Sequence, residues 1–301
     1  MDFGRVPENE LDSIDFSLPK DPKATTEVLK ASKKKGKTKF YVGCAKWGRK
    51  DWIGKLYPPK TKEKDFFPLY AKHFNCIEFN AAFYRLPTPA QVQGWKEKVS
   101  GDFIFSPKYT QYITHIKRLK GVQPEVDEFY KVMHELGKHL GPVFLLPHPQ
   151  MGPKQLETIE QFISAQPKDI DLFLELRHEA WYEGKEGFDP ALYEFLRKQK
   201  RGTIITDTAG RRDCVHMHLS TPECFIRFVG NSLHATDYTR IDEWVQRIKK
   251  WMKEGLETCY FYMHQHEELY SPELVKYLID ELNEHCGTDL NPPALLNDTL
   301  F

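Results

Sequence analysis

The chain has 301 residues, and 43 Lys and Arg balance 43 Asp and Glu, so no net charge selects a polyanion or an anionic membrane as its partner. Forty per cent of the residues are hydrophobic and 13% aromatic, enough for one large core. No apolar run approaches the ~20 residues that span a bilayer.

The N-terminal stretch "MDFGRVPENELDSIDFSLPKD" lacks the basic-then-apolar layout of a secretory signal. Six cysteines (Cys44, Cys76, Cys214, Cys224, Cys259 and Cys286) form no C-x-x-C pair. Both features lead us to expect a cytoplasmic protein with reduced, buried thiols. Residues 1–38, ending in "ASKKKGKTK", read as an N-terminal extension, a solvated arm or partial cover for the barrel, with a nucleic-acid arm as the alternative given the local positive charge at Lys33–Lys35.

From residue 39 strand-like and helix-like segments alternate. The strand candidates are "KFYVGCA", "CIEFNAAF", "DFIFSPKY", "PVFLLP", "LFLELR", "TIITDT", "FIRFVG" and "TCYFYMHQ". Helical patterns fall at 62–74, 88–99, 124–140, 154–166, 189–201, 241–255 and 272–286. Thr88-Pro89 and Ser271-Pro272-Glu273 supply start signals. The segment 209–222 holds at most a short or irregular helix. Eight strands with crossovers predict an α/β fold, a single (β/α)8 barrel of the TIM type over 39–286, followed by a short tail, 287–301. An open doubly wound sheet is the runner-up. Against it, no G-x-G-x-x-G follows the first strand, and there is no G-x-x-x-x-G-K-[ST] loop, so no nucleotide cofactor is indicated.

In a barrel alternate strand residues point inward. In "CIEFNAAFYRLP" Ile77, Phe79 and Ala81 share one face, and Glu78 and Asn80 share the other. Leu172, Leu174 and Leu176 oppose Glu175 and Arg177. Ile104, Ser106 and Lys108 share a face, as do Tyr262, His264 and His266, while Arg227 and Asp207 come from the strands between. Glu78, Asn80, Lys108, Glu175, Arg177, Asp207, Arg227 and His264 are therefore expected to converge at the C-terminal rim, where barrel active sites are built.

The runs "YVGCAKWGRKDWIGKLYPP", "FNCIEFNAAFYRLPTPAQVQGW", "FIFSPKYTQYITHIKRL", "LFLELRHEAWY" and "IITDTAGRRD" together resemble the DUF72 (YecE-like) family across about residues 39–286. The resemblance implies a TIM-type barrel and no known reaction. Its motif residues here are Trp47, Glu78, Asn80, Phe83, Tyr84, Arg85, Lys108, Thr114, His115, Glu175, Arg177, His178, Trp181, Asp207 and Arg227. The chain departs from the family pattern at Leu146, at Val229 and in "MHQHEE".

Two chemistries fit this rim. Glu78, Glu175 and Asp207 are the candidate catalytic carboxylates. Trp47, Asn80, Tyr84, Arg85, Lys108, His115, Arg177, His178, Trp181, Arg227, His264 and His266 are the candidate ligand contacts. A metal held by His264, His266 and the carboxylates is the less favoured reading, because Lys108, Arg177 and Arg227 oppose a dication. A metal-free enzyme fits better: the cations hold an anionic or hydroxyl-rich small molecule, and a carboxylate acts as general acid or base. The rival classes are a barrel that binds or processes nucleic acid, from aromatics beside "THIKRLK", and a non-catalytic remnant barrel. Nothing in the sequence indicates an oligomeric state.

Overall fold

A computed structural model describes residues 3–33, 36–184 and 187–296. Lys34, Lys35 and the tail beyond 296 lie outside the described residues. Eight parallel strands form one sheet: β1 (Lys39–Cys44), β2 (Cys76–Phe79), β3 (Ile104–Pro107), β4 (Val143–Leu145), β5 (Leu172–Leu174), β6 (Gly202–Asp207), β7 (Glu223–Gly230) and β8 (Thr258–Gln265). Their order, β3-β2-β1-β8-β7-β6-β5-β4, places the ends of the sheet beside each other. There Gly141 N donates to Phe105 O at 2.8 Å and Tyr109 N to Phe144 O at 3.2 Å, and parallel bridges join Phe105 to Leu140 and Lys108 to Phe144. The result is a nearly closed (β/α)8 barrel.

The crossover helices are α2 (Glu63–His73), the single turn α3 (Ala81–Tyr84), α4 (Pro89–Lys96), α5 (Gln123–Met133), α6 (Leu156–Ser164), α7 (Pro190–Gln199), α8 (Ala235–Glu254) and α9 (Ser271–Cys286), with α1 (Lys23–Lys30) ahead of the barrel. Local chemistry sets their limits. Thr88 and Gln91 form a capping box at α4, and Asp189 caps α7 just before Pro190. α8 buries Ile241, Trp244, Val245, Ile248 and Trp251 as a helical stripe, and the helix itself starts at Ala235, six residues ahead of the expected 241. The helix expected over 124–140 ends at Met133. A 3-10 segment follows, and Gly137 supplies the positive φ of 56° at its kink. The segment 209–222 holds only the short turn Arg212–Cys214.

Two apolar layers result. Ile77, Phe79, Leu172, Leu174 and Leu176 pack under the helices. Cys76, Ile104, Phe144, Phe173, Ile204, Phe225, Tyr260 and Tyr262 fill the barrel interior as a floor. Gly202 belongs to that packing, since a Cβ there would lie 2.2 Å from the Phe173 ring. Above this floor the inward positions turn polar.

Residues 3–33 are docked onto the barrel. Gly210 N donates to Gly4 O at 2.8 Å, and Leu11 and Phe16 bury against Ala209. Arg247 on α8 donates to Asp21 Oδ1 at 2.5 Å and to Pro19 O at 2.8 Å. Over its described residues this segment lies against the barrel as a partial cover. No helix among the described residues is long and apolar enough to cross a membrane. All six cysteines are free, five of them buried and Cys286 partly so.

Candidate active site

Parallel register delivers the inward groups to one height. Glu78 lies opposite Ser106, and Arg227 is flanked by Thr206 and Tyr262. Arg227 is fully buried and holds both central carboxylates. Its Nε donates to Glu78 Oε2 at 2.8 Å, its Nη2 to Glu78 Oε1 at 2.8 Å and its Nη1 to Glu175 Oε2 at 2.6 Å. This forked geometry is what a guanidinium supplies and an ammonium does not.

The remaining lone pairs are also engaged. Asn80 Nδ2 donates to Glu78 Oε1 at 2.7 Å, and His264 Nε2 lies 2.9 Å from Glu78 Oε2. Thr206 Oγ1 donates to Glu175 Oε1 at 2.7 Å, and Arg177 Nη2 forms an ion pair with that same oxygen. Burial by itself raises the pKa of Glu78, but Arg227 and His264 prevail and hold it well below the usual carboxylate range. Glu175 follows the same logic: burial raises its pKa, and Arg177, Arg227 and the Thr206 hydroxyl bring it down. Both carboxylates are thus ionised at neutral pH and poorly suited to donate a proton. Of the two roles expected for them, general acid or base, the ionised form suits the base.

Lys108 is situated differently. It is the only buried lysine among the described residues, and no carboxylate oxygen there comes within the 4.0 Å of an ion pair. Its Nζ sits over the Phe83 ring, 3.9 Å from the centroid, and 5.8 Å from that of Phe144. Burial, then Arg227, pull its pKa from 10.5 to about 8, against the opposing pull of Glu175 and Glu78. That shift corresponds to ~3 kcal/mol against the ammonium. Ring attraction of about 1 kcal/mol recovers only part of it. With a pKa of about 8, roughly a tenth of the Lys108 amine is neutral at pH 7, so it can exchange a proton there.

A cavity of ≈ 640 Å³ opens beside this amine, bounded by Asn80, Tyr84, Arg227, His264 and His266 and by Lys46, Arg49 and Glu268 from neighbouring rim loops. Its size suits a small molecule. Lys46, Arg49 and Glu268 had no distinguishing signal in the sequence, because they lie on loops without period. Thr206 was also missed, and its inward role becomes visible only once the phase of β6 is known.

The other expected site residues divide cleanly. Asp207 does not join the cluster. It takes the helix-facing phase of β6, accepting from Arg240 Nη2 at 2.8 Å and Trp244 Nε1 at 2.7 Å on α8 and pairing with Arg212. Trp181 is fully buried and donates through Nε1 to Met151 O at 2.8 Å. His178 accepts from Ala180 N at the start of a 3-10 turn. Trp47 packs among Phe67, Phe79 and Trp95. These three read as structural.

Ala81 leaves the strand phase altogether, because the chain turns into α3 after Asn80. Tyr84 and Arg85 are exposed on that turn, and His115 stands beside Phe83 with its Nδ1 2.8 Å from Thr114 Oγ1. Burial and the nearby Lys108 push the His115 imidazole down to about 4. Arg177 lies at the rim under the ring of Phe3, 3.4 Å from its centroid. His264 is committed to Glu78, and the cations Arg227 and Lys108 border the same space, so the donor set is a poor match to a dication. Among the described residues the one carboxylate–imidazole grouping with metal-ligand spacing is Glu281, Glu284 and His285 on α9, away from the rim.

Comparison with known proteins agrees with this architecture. The chain is 27% identical over 264 residues to YecE of Escherichia coli (strain K12), covering 81% of this chain and 93% of that protein. A DUF72 family protein from Thermotoga maritima superposes with a TM-score of 0.64 at 19% identity, covering 82% of this chain and 99% of the other. A second, from Enterococcus faecalis, gives 0.61 at 17%, covering 82% and 98%. The model of the family described as "Protein of unknown function DUF72" matches residues 41–296, and the chain belongs to that family.

Proposed function

We propose that this barrel is an enzyme acting on a small anionic or hydroxyl-rich molecule, such as a sugar, sugar phosphate or nucleotide, by acid–base chemistry at the C-terminal rim. The observation that carries the reading is the asymmetry of charge partners. Two buried carboxylates are saturated by Arg227 and Arg177, while Lys108 has no carboxylate within ion-pair reach at the cavity it faces. Desolvating so many charges costs several kcal/mol each unless pairing is good, and Lys108 is the member left without that compensation. A ligand anion would supply the missing counter-charge. Lys108 is then the proton carrier, and Glu78 and Glu175 fix the electrostatic frame around it.

The test is a thermal-shift screen of sugars, sugar phosphates and nucleotides against the parent and Lys108→Met. We expect ligands that raise the melting temperature of the parent and lose at least tenfold in affinity in the variant. Hits that bind both proteins equally would remove Lys108 from the site.

A second reading has its own observation. The exposed large apolar side chains among the described residues are Tyr84, Tyr112 and Ile116, all on loops that follow β2 and β3, and Lys117 Nζ lies 5.7 Å from the Tyr112 ring centroid. Aromatics beside cations suit single-stranded nucleic acid. Affinity for random oligonucleotides that falls steeply with salt and drops on Tyr112→Ala would favour that reading over the first.

A further inference from the structure

We infer that the Lys108 amine is a covalent attachment point, forming an imine with the carbonyl carbon of an aldehyde or ketone substrate that carries an anionic group. This rests on the rim cavity being a small-molecule site, and it narrows the substrate class to carbonyl compounds.

The geometry supplies what an amine nucleophile requires. Nζ is desolvated between the Phe83 and Phe144 rings, and its charged form has a guanidinium, Arg227, for a neighbour rather than a carboxylate partner. A lysine in apolar surroundings next to another cation is the arrangement that frees the nitrogen lone pair near neutral pH. The charged groups around it are Arg227 from β7, Glu175 and Arg177 from the end of β5, Glu78 from β2 and His115 beyond β3, and Lys46, Arg49, Asp51, Glu267 and Glu268 line the cavity it faces. Neither Glu175 nor Glu78 is within ion-pair reach of Nζ, because Arg227 and Arg177 hold them. Lys46 borders the same cavity and can take the anionic end of the substrate, while Arg49 there is already paired with Asp51, its Nη2 donating to Oδ2 at 2.6 Å.

The step balances without a further reactant. The Nζ lone pair attacks the carbonyl carbon, a C–N bond forms, and the C=O π pair moves to oxygen. That oxygen collects the two amine protons and leaves as water, and a third proton on nitrogen makes the iminium. His266 lines the cavity and is placed to carry those protons. The iminium then draws electrons from the adjacent carbon, which is what makes proton removal there easier.

The experiment uses the full chain with dihydroxyacetone phosphate as the carbonyl probe and glycerol phosphate as its carbonyl-free counterpart. Sodium borohydride reduces any imine to a stable secondary amine, which peptide mass mapping locates. The expected result is one adduct, on Lys108, formed at least tenfold faster than on any surface lysine, suppressed by glycerol phosphate and absent from Lys108→Met. Mapping the parent protein keeps the test valid even if that variant folds poorly. Label spread evenly over surface lysines, or none at Lys108, overturns the imine. If glycerol phosphate still raises the melting temperature in that case, the pocket reading stands and only the covalent step fails. If neither compound binds, both fail.

Discussion

Removing Arg227 strands two buried carboxylates at once. Three of its nitrogens bond Glu78 and Glu175, and breaking a buried pair typically costs about 3–5 kcal/mol because the surviving charge stays desolvated. Arg227→Met is therefore expected to lose at least that much in urea unfolding. Arg227→Lys should fall between the two, since it keeps the charge without the fork. A loss under about 1 kcal/mol for Arg227→Met would mean that water replaces the guanidinium and that the cluster is wetter than its burial implies.

Lys108 predicts the opposite sign. Its folded pKa of about 8 lies below the unfolded 10.5, so the ammonium weakens the fold fully below pH 8, and the penalty fades between the two values. Lys108→Met should then be more stable than the parent near neutrality by a few kcal/mol, with the gain shrinking as pH rises from about 8 toward 10.5. A constant difference across that window would show that Lys108 titrates normally. A residue kept at a cost to stability is what a functional constraint leaves behind. The inward residues of this cluster were legible because charged and apolar side chains alternate cleanly around Glu78, Lys108 and Glu175. What the sequence did not carry was which cation would take both carboxylates, since Arg177 and Arg227 look alike until strand register places one of them at the centre.

At the level of elements, Asp207 shows where alternation stops being informative. β6 reads "GTIITD", and two adjacent isoleucines, one facing the floor and one facing the helices, leave no polar–apolar rhythm to set its phase. Nor does an aspartate at the end of a barrel strand reveal its direction. The structure assigns it to a joint: Arg240 and Trp244 of α8 and Arg212 of the following loop all converge on its carboxylate. Burial raises its pKa, and Arg240 and Arg212 outweigh that and lower it. Asp207→Ala should accordingly cost about 3–5 kcal/mol in stability by leaving Arg240 buried without that partner. The folded fraction should bind any rim ligand with unchanged affinity. A variant that keeps its stability and loses the ligand would return Asp207 to the active site. The same joint explains why the N-terminal segment docks where it does, because Arg212 Nη2 also donates to Phe16 O at 3.0 Å.

Over the whole molecule the barrel is uneven. β7 and β8 pair over eight residues, and β1 pairs with β8 over six, whereas β4 and β5 pair over three, β5 with β6 and β1 with β2 over two, and the closing seam between β3 and β4 has two isolated bridges. The fold class was readable from the alternation of strands and helices, since that pattern has few packed solutions. Strand length was not, because "PVFLLP" and "LFLELR" look as strand-like as "TCYFYMHQ". Their pairing is limited by neighbours rather than by their own residues. Fewer ladder bonds mean that the seam should open locally at a lower free energy than the wall opposite it. Native-state hydrogen exchange is expected to show the slowest amides within Cys224–Phe228 and Cys259–Met263, exchanging only on global unfolding. Val143–Leu145 and Tyr109 should exchange at least tenfold faster through partial opening. Lys108 sits on that seam, bridged to Phe144, so a ligand engaging it should slow exchange at Val143–Leu145 more than at β7 or β8. Uniform protection around all eight strands, with or without ligand, would show that the barrel opens as one unit and that the seam has no special weakness.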